Sequence, residues 1–310
     1  MCVCWCMCIM RQPIHAIDFT GEIMPRVSVL MPAYNAEKYI AESIESILNQ
    51  TFSDFEFIII NDGSHDNTAQ IVKKYAAHDS RIKFVDNAHN SGVGVVRNML
   101  LDMAVGEFVA YQDADDISFP HRLQTMVKFL DAHPDITVVG SALKTMPGNK
   151  IIKCPKCPKI LDFYVANHIA NPSVMFRRAD INKHGIRYNP SYTTAEDYDF
   201  WTRVVRYFNI FNLDDALVHY REQATSLSHN NPQMERNDKI IQSGVLNFLT
   251  SNPRLQMMIA PCHRIYLFGI LPVFKIKRTR IYLFDFIPLV GLRGNWWYLF
   301  DVIPLYKQGA

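Results

Sequence analysis

The chain has 310 residues, 49% of them hydrophobic and 20% charged, enough to bury a large core and carry one domain with an appendage. A formal net charge of +2 argues against a dedicated nucleic-acid binder, and seven cysteines in a chain this long do not make a secreted disulfide framework. The charge is unevenly spread: from Arg254 onward eight Lys/Arg stand against two Asp, a surplus of +6, so the residues before it carry −4.

The first ten residues, MCVCWCMCIM, are too short to span a bilayer, and no small-residue cleavage site follows them. Cys2, Cys4, Cys6 and Cys8 could collect a soft metal, but one flexible segment loses much entropy in closing such a cage. Residues 1–24 are therefore expected to lie outside the fold, with Met24 an alternative start.

From Val27 a regular alternation begins. VSVLMPAYN reads as a buried strand stopped by Pro32, and Ile40, Ile44, Ile47 and Leu48 mark one face of a helix. FEFIII (55–60) lacks alternation and so predicts a strand buried on both faces. NDGSHDN turns the chain into a helix carrying Ile71, Val72 and Tyr75; IKFV (82–85) is a third strand. NSGVGVVRNMLLDMA is a third helix entered through Gly92 and Gly94, and FVAYQ a fourth strand. Ser118 is placed to cap the next helix, with Pro120 near its first turn; ITVVGSAL (136–143) is a fifth strand. This rhythm predicts an α/β fold, a mostly parallel sheet with helices on both faces. Ligands of such sheets bind beyond the carboxyl ends of the strands, where PAYN, NDGS and QDADD all fall.

After residue 145 the rhythm changes. MPGNKIIKCPKCPK holds Cys154 and Cys157, half of a zinc-ribbon pattern without a second close pair, so a reduced loop is favoured over a metal site. SVMFR is a strand, followed by a short helix ending at Gly185. TTAEDYDFWTRVVRYF is a helix with Phe200, Val204 and Phe208 on one stripe and Glu196 and Asp197 in its first turn. IFNLDDALVHYRE returns as one or two strands, and QMERNDKIIQSGVLNFL is a further helix. The tail repeats one heptapeptide pattern at a period of 16, beginning at Tyr266, Tyr282 and Tyr298 and ending at Pro272, Pro288 and Pro304. No stretch there reaches the ~20 apolar residues of a spanning helix. Aromatics alternating with bases fit a membrane interface, where rings sit at headgroup depth; packing on the domain or in a homo-oligomer is the alternative.

The sharpest chemical signal is QDADD. Asp113, Asp115 and Asp116 crowd one strand end, and like charges so close repel unless a cation or a donor-rich ligand lies among them. Asp113 and Asp115 are hard oxygen ligands suited to Mn²⁺ or Mg²⁺ shared with substrate phosphates, while Asp116 and Ser118 can serve simply as helix caps. Tyr34 and Asn35 can present a ring and an amide to a base, Asp62 can accept from a ring N–H, and Arg97 can reach a base edge or a phosphate.

VSVLMPAYNAEKYIAESIESILNQTFSDFEFIIINDGSHDNT, followed in order by NSGVGVVRN, QDADD and AEDYDFW, closely resembles the family 2 glycosyltransferases with the GT-A fold, over about residues 26–230. NPSVMFRR, RYNPSYTTAEDYDFW and ALVHYRE look most like bacterial enzymes that extend lipooligosaccharide or capsule chains, among them β-1,3-N-acetylglucosaminyltransferases. The resemblance implies a GT-A domain at 25–230, with a nucleotide half (25–145) and an acceptor half (146–230), then a helix and interface tail at 231–310. It implies that Pro32, Ala33, Tyr34, Asn35 and Glu37 form the first nucleotide-contacting loop. Asp62 beside Gly63 would read uracil and Arg97 would lie near that base. Asp113-Ala114-Asp115 matches the Asp-x-Asp motif, its first Asp near the ribose and its second on the metal. Glu196-Asp197 matches the family's Glu-Asp pair, whose Asp is the catalytic base.

The implied reaction is inverting transfer from a UDP-sugar to a saccharide or glycolipid acceptor, with a divalent cation against the departing diphosphate and Asp197 taking the acceptor's proton. The helix dipole is expected to favour ionised Asp197. One departure stands out: the family often has Tyr-Arg-x-His after its last core strand, and here the run is Tyr220-Arg221-Glu222-Gln223. His219 and His229 are off register. The expected location is the cytoplasmic side of a bacterial membrane, held peripherally by the tail. Two other readings compete. A sugar nucleotidyltransferase would begin with a Gly-rich loop that PAYNAEKY lacks, and a non-catalytic nucleotide-sugar-binding scaffold sits poorly with Asp113, Asp115 and Asp197 all present.

Overall fold

The computed structural model describes residues 24–222 and 232–251, together with six strands between 263 and 307. Cys2, Cys4, Cys6, Cys8, Gln223 and His229 lie outside the described residues. The chain divides into two compact units, Met1–Gln242 and Ser243–Ala310.

In the first unit, β1 (Val27–Ala33), β2 (Phe55–Asp62), β3 (Ile82–Asn87) and β4 (Phe108–Tyr111) alternate with α1 (Ile40–Leu48), α2 (Thr68–Ala76) and α3 (Val93–Met103). The four strands run parallel in the order β3-β2-β1-β4, so their carboxyl ends share one edge. Next come β5 (Ile117–Ser118), α4 (Arg122–Ala132), β6 (Val138–Met146), β7 (Ile151–Ile152), β8 (Met175–Arg177), α5 (Arg178–Lys183), α6 (Glu196–Val204) and β9 (Ile210–Arg221); α7 (Pro232–Ser251) begins in this unit and ends in the second. They continue the sheet as β4-β8-β6-β9-β5, with β7 against β6. Here β8 is antiparallel to both neighbours, whereas β9 is parallel to β6.

The unbroken apolar runs are explained by cores on both faces of the sheet. Val27, Val29 and Met31 pack with Ile40, Ile44, Ile47 and Val72, whereas Leu30 packs with Val96, Leu100, Phe200 and Trp201. Phe57 and Ile59 divide from Ile58 and Ile60 in the same way. Each such side chain removed from water contributes about 1.5–3 kcal/mol, which overrides the weak helix propensity of the isoleucines on α1.

Three local expectations are corrected. β1 does not stop at Pro32 but continues through Ala33, pairing Pro32 with Ile60. The β4 ladder ends at Leu30, so the missing proline N–H falls where that side of the strand is already an edge. Ser118 is not a helix cap. It lies in β5, where its hydroxyl donates to Gln112 Oε1, and α4 begins only after His121. The helix carrying Phe200 ends at Val204.

In the second unit, β10 (His263–Leu267), β11 (Leu271–Lys277), β12 (Arg280–Leu283), β13 (Ile287–Arg293), β14 (Trp296–Leu299) and β15 (Ile303–Lys307) form an antiparallel meander in sequence order. The period-16 repeat is a repeated hairpin: Tyr266 pairs with Pro272, Tyr282 with Pro288 and Tyr298 with Pro304. The register shifts just before each tyrosine, one bulge per repeat. Among the described residues no helix is long and apolar enough to cross a membrane.

Candidate active site

The loops after β1 and β2 are laced together. Asn35, at φ 48°, donates its N–H to Ser64 Oγ (2.8 Å) and accepts at Oδ1 from the His65 N–H (2.9 Å). Glu37 accepts from the backbone and side-chain N–H groups of Asn67 while its own N–H donates to Asp66 Oδ2. This leaves Tyr34 47% exposed, its ring edge-on to His65, free to meet a planar ligand. Gly63 sits at φ 68°, and a Cβ there would lie 2.6 Å from the His89 carbonyl carbon and 2.7 Å from Asn90 N, so only glycine fits. Beside it Asp62 is buried and accepts from Ser91 N and Oγ, Gly92 N and Asn87 Nδ2. Burial alone would raise its pKa, but these donors outweigh it and hold the carboxyl below its ordinary value.

The acidic loop rests on a buried cation. Arg122 is fully buried and donates to Gln112 Oε1 (3.0 Å), Ser118 Oγ (2.9 Å) and the Tyr111 carbonyl (2.6 Å), bracing both ends of QDADD. Burial lowers its pKa to about 10 against the pull of Asp116 and Asp113. Asp116, also buried, accepts at Oδ1 from Arg221 N (2.9 Å), and Arg221 Nε donates to the Asp115 carbonyl (3.0 Å). The chain after the last core strand thus reaches the acidic loop through Arg221. His219 stacks on Phe119 with ring centroids 4.2 Å apart, a packing role.

Arg97 joins this loop to the Glu-Asp pair. It is buried on α3, ion-paired with Glu196, and its Nη2 lies 3.8 Å from Asp113 Oδ1. Tyr111 and Tyr188 flank the guanidinium, 5.9 and 5.4 Å from it. Burial opposes its charge, but Glu196, Asp113 and Asp197 more than offset that and keep it protonated. Asp113 is pushed up to about 6, mainly by burial; Arg97 opposes the shift and Asp115 and Glu196 add to it. Asp197 accepts from Asn167 Nδ2 (3.1 Å) and, at its other oxygen, from its neighbour's Tyr198 N–H (2.8 Å). Its carboxyl is pushed up to about 7, first by burial and then by Glu196.

Two expectations change here. The carboxyl of Asp197 is not held low, because burial and the adjacent Glu196 raise its pKa more than Arg97 and the Tyr198 N–H lower it. Arg97 lies among the carboxylates, where it neutralises them, and its guanidinium is engaged there by Glu196. Asp113 and the adjacent pair Glu196 and Asp197, distant from it in sequence, are brought together through Arg97; Tyr34, Asn35, Glu37, Asp62 and Gly63 gather on the neighbouring loops of the same sheet edge. Sequence reasoning missed Asn167, Arg122 and Arg221. The only hint was an arginine on the otherwise apolar face of α4, beside Leu123, Met126 and Val127. Cys154 and Cys157 are free thiols, and burial raises the pKa of Cys154.

The parallel β3-β2-β1-β4 order with a mixed second half and acids at the strand ends defines a GT-A glycosyltransferase fold. Comparison with known proteins narrows this. Residues 28–179 match the Glycosyl transferase family 2 profile. An uncharacterized glycosyltransferase of Haemophilus influenzae is 35% identical over 247 residues, 74% of this chain and 76% of the relative. The O-antigen biosynthesis glycosyltransferase WbnJ of Escherichia coli is 34% identical over 64% of this chain and 80% of its own length. The structure of S. aureus TarS 1–349 in complex with UDP-GlcNAc superposes with a TM-score of 0.58 at 25% identity, covering 74% of each chain. The chain belongs to glycosyl transferase family 2.

Proposed function

We propose that this glycosyltransferase moves a sugar with inversion from a UDP-sugar, UDP-GlcNAc or a similar hexose donor, to a saccharide or glycolipid acceptor during assembly of a bacterial surface polysaccharide or lipooligosaccharide. The likeness to TarS bound to UDP-GlcNAc supports the donor class, and that to an O-antigen enzyme supports the pathway class. One observation supports the reading above the others: the buried Arg97 guanidinium pairs with Glu196 and lies 3.8 Å from Asp113, linking an acid of the QDADD loop to the neighbour of the proposed base.

Asp197, its carboxyl held near 7, takes the proton of the acceptor hydroxyl as that oxygen attacks the anomeric carbon from the face opposite UDP. Asn167 and the Tyr198 N–H fix the carboxylate's orientation. Tyr34 and Asn35 hold the base, and Asp62 accepts its ring N–H beside the Ser91 and Gly92 N–H groups it already binds. The donor set suits a divalent ion: crowded hard oxygens at a strand end, with Asp113 raised to about 6 by burial and neighbouring acids. Asp113 and Asp115 would hold Mn²⁺ or Mg²⁺, which supplies positive charge for the departing diphosphate. Diphosphate oxygens of the donor would complete the ion's oxygen ligands. The tail repeats touch the inner face of the membrane, bringing the site to a lipid-linked acceptor. Incubation with a panel of UDP-sugars and Mn²⁺ tests the reaction. Metal-dependent release of free UDP is expected; pyrophosphate release would identify a nucleotidyltransferase, and no release would leave a scaffold.

A further inference from the structure

The meander of the second unit has two chemically opposite faces, and its pairing register defines them. Arg264 pairs with Lys275, and Lys275 with Tyr282, one row across three strands. Lys277 pairs with Arg280, Arg280 with Gly291, and Gly291 with Tyr298, a second row on the same face. Arg293 pairs with Trp296 and Trp296 with Lys307, a third. Because side chains alternate along a strand, these rows share one side of the sheet. Arg264, Lys275, Lys277, Arg280, Arg293 and Lys307 are all the bases on the six strands, and all lie on that face. None of the six strands carries an Asp or Glu. The repeat tyrosines Tyr266, Tyr282 and Tyr298 join the bases there. The other face carries no Lys or Arg: Ile276, Ile281, Val290, Leu299 and Ile303 form one continuous aliphatic row there, with His263, Phe274, Trp297 and Tyr306 at other positions of the same face.

Resting on the reading that the tail touches a membrane, we propose that the contact is made by this basic, tyrosine-bearing face and that it selects anionic phospholipid headgroups. The 16-residue period is what builds the face. One tyrosine per hairpin returns to the same side because each bulge falls at the same place in the repeat. Six cations placed on one face are complementary to negative charge, which a sheet of phosphodiesters supplies at high density. Tyrosine rings suit the depth of those headgroups. An aliphatic face lying in the acyl region would instead turn the bases away from the phosphates.

The test uses the full-length protein and sedimentation with vesicles of phosphatidylcholine alone or with 30% phosphatidylglycerol, a composition chosen for the assay, near ~0.1 M salt where screening is moderate. Binding to the anionic vesicles only is expected. Replacing Lys275→Gln with Lys277→Gln should weaken it about 25-fold, roughly fivefold per base. The paired Lys275→Arg, Lys277→Arg variant should retain binding, with circular dichroism confirming that each variant is folded. Equal binding to neutral vesicles, or anionic binding unmoved by the glutamines in a folded variant, would overturn the face assignment while leaving a membrane contact standing. No binding to either vesicle would remove the membrane reading itself, and retention on an immobilised anionic glycan instead would give the face to a polymer.

Discussion

On the proposed reaction, the protonation state of Asp197 is expected to set the activity between pH 6 and 8, and the signs of two substitutions follow from its surroundings. With the carboxyl at about 7, roughly one-eleventh of the enzyme is ionised at pH 6 and ten-elevenths at pH 8, so kcat/KM should rise about tenfold across that window. Glu196 raises this pKa and Arg97 lowers it. Glu196→Gln removes the repulsion and also frees the Arg97 charge that Glu196 now occupies, so both effects move the rising limb to lower pH, by about one unit for each ~1.4 kcal/mol of changed interaction. Arg97→Gln moves it to higher pH. That variant also leaves buried Glu196 without its partner, at about 3–5 kcal/mol of stability, so its profile must be measured well below its Tm. The assay is UDP release at subsaturating acceptor over pH 5.5–9. Shifts of the same sign in both variants, or near-normal turnover in Asp197→Asn with UDP binding intact, would refute Asp197 as the base.

Gly63→Ala places a Cβ 2.6 Å from backbone at His89 in a left-handed conformation, costing about 1–2 kcal/mol for the backbone and about 1–3 for the clash. A lowered Tm and weaker UDP binding should appear together; an unchanged Tm would show that the loop yields freely. Asp62→Asn turns part of an acceptor toward the Ser91 and Gly92 N–H groups and should cost about 1–3 kcal/mol by denaturant unfolding. Because the folded pKa of Asp62 is depressed, its contribution is fully present above pH 3.8 and is lost as pH falls through the folded value, so the variant and wild type should converge in stability only in acid. Deleting residues 255–310 should move the protein from the membrane to the soluble fraction on sedimentation; an unchanged distribution would place the contact elsewhere.

The alternation of strands and helices was legible in the sequence because it is written in local periodicity. FEFIII declares burial on both faces by lacking alternation, and Ile40, Ile44 and Ile47 declare a helical stripe. The chemistry of QDADD was legible too, since three acids in four residues are costly without an opposite charge. Residue order within the tail showed a period of 16 but not its meaning; only the cross-strand register sorts six bases onto one face. The same holds for the active site. Nothing near Asp113 announces that its counter-charge is Arg97, that Arg97 also holds Glu196, or that Arg122 braces the loop from beneath. Those pairings span 11 to 99 residues and exist only once the chain has folded. The pKa of Asp197 was misjudged for that reason: a helix dipole can be read from neighbours in sequence, whereas burial and distant charges belong to the folded chain.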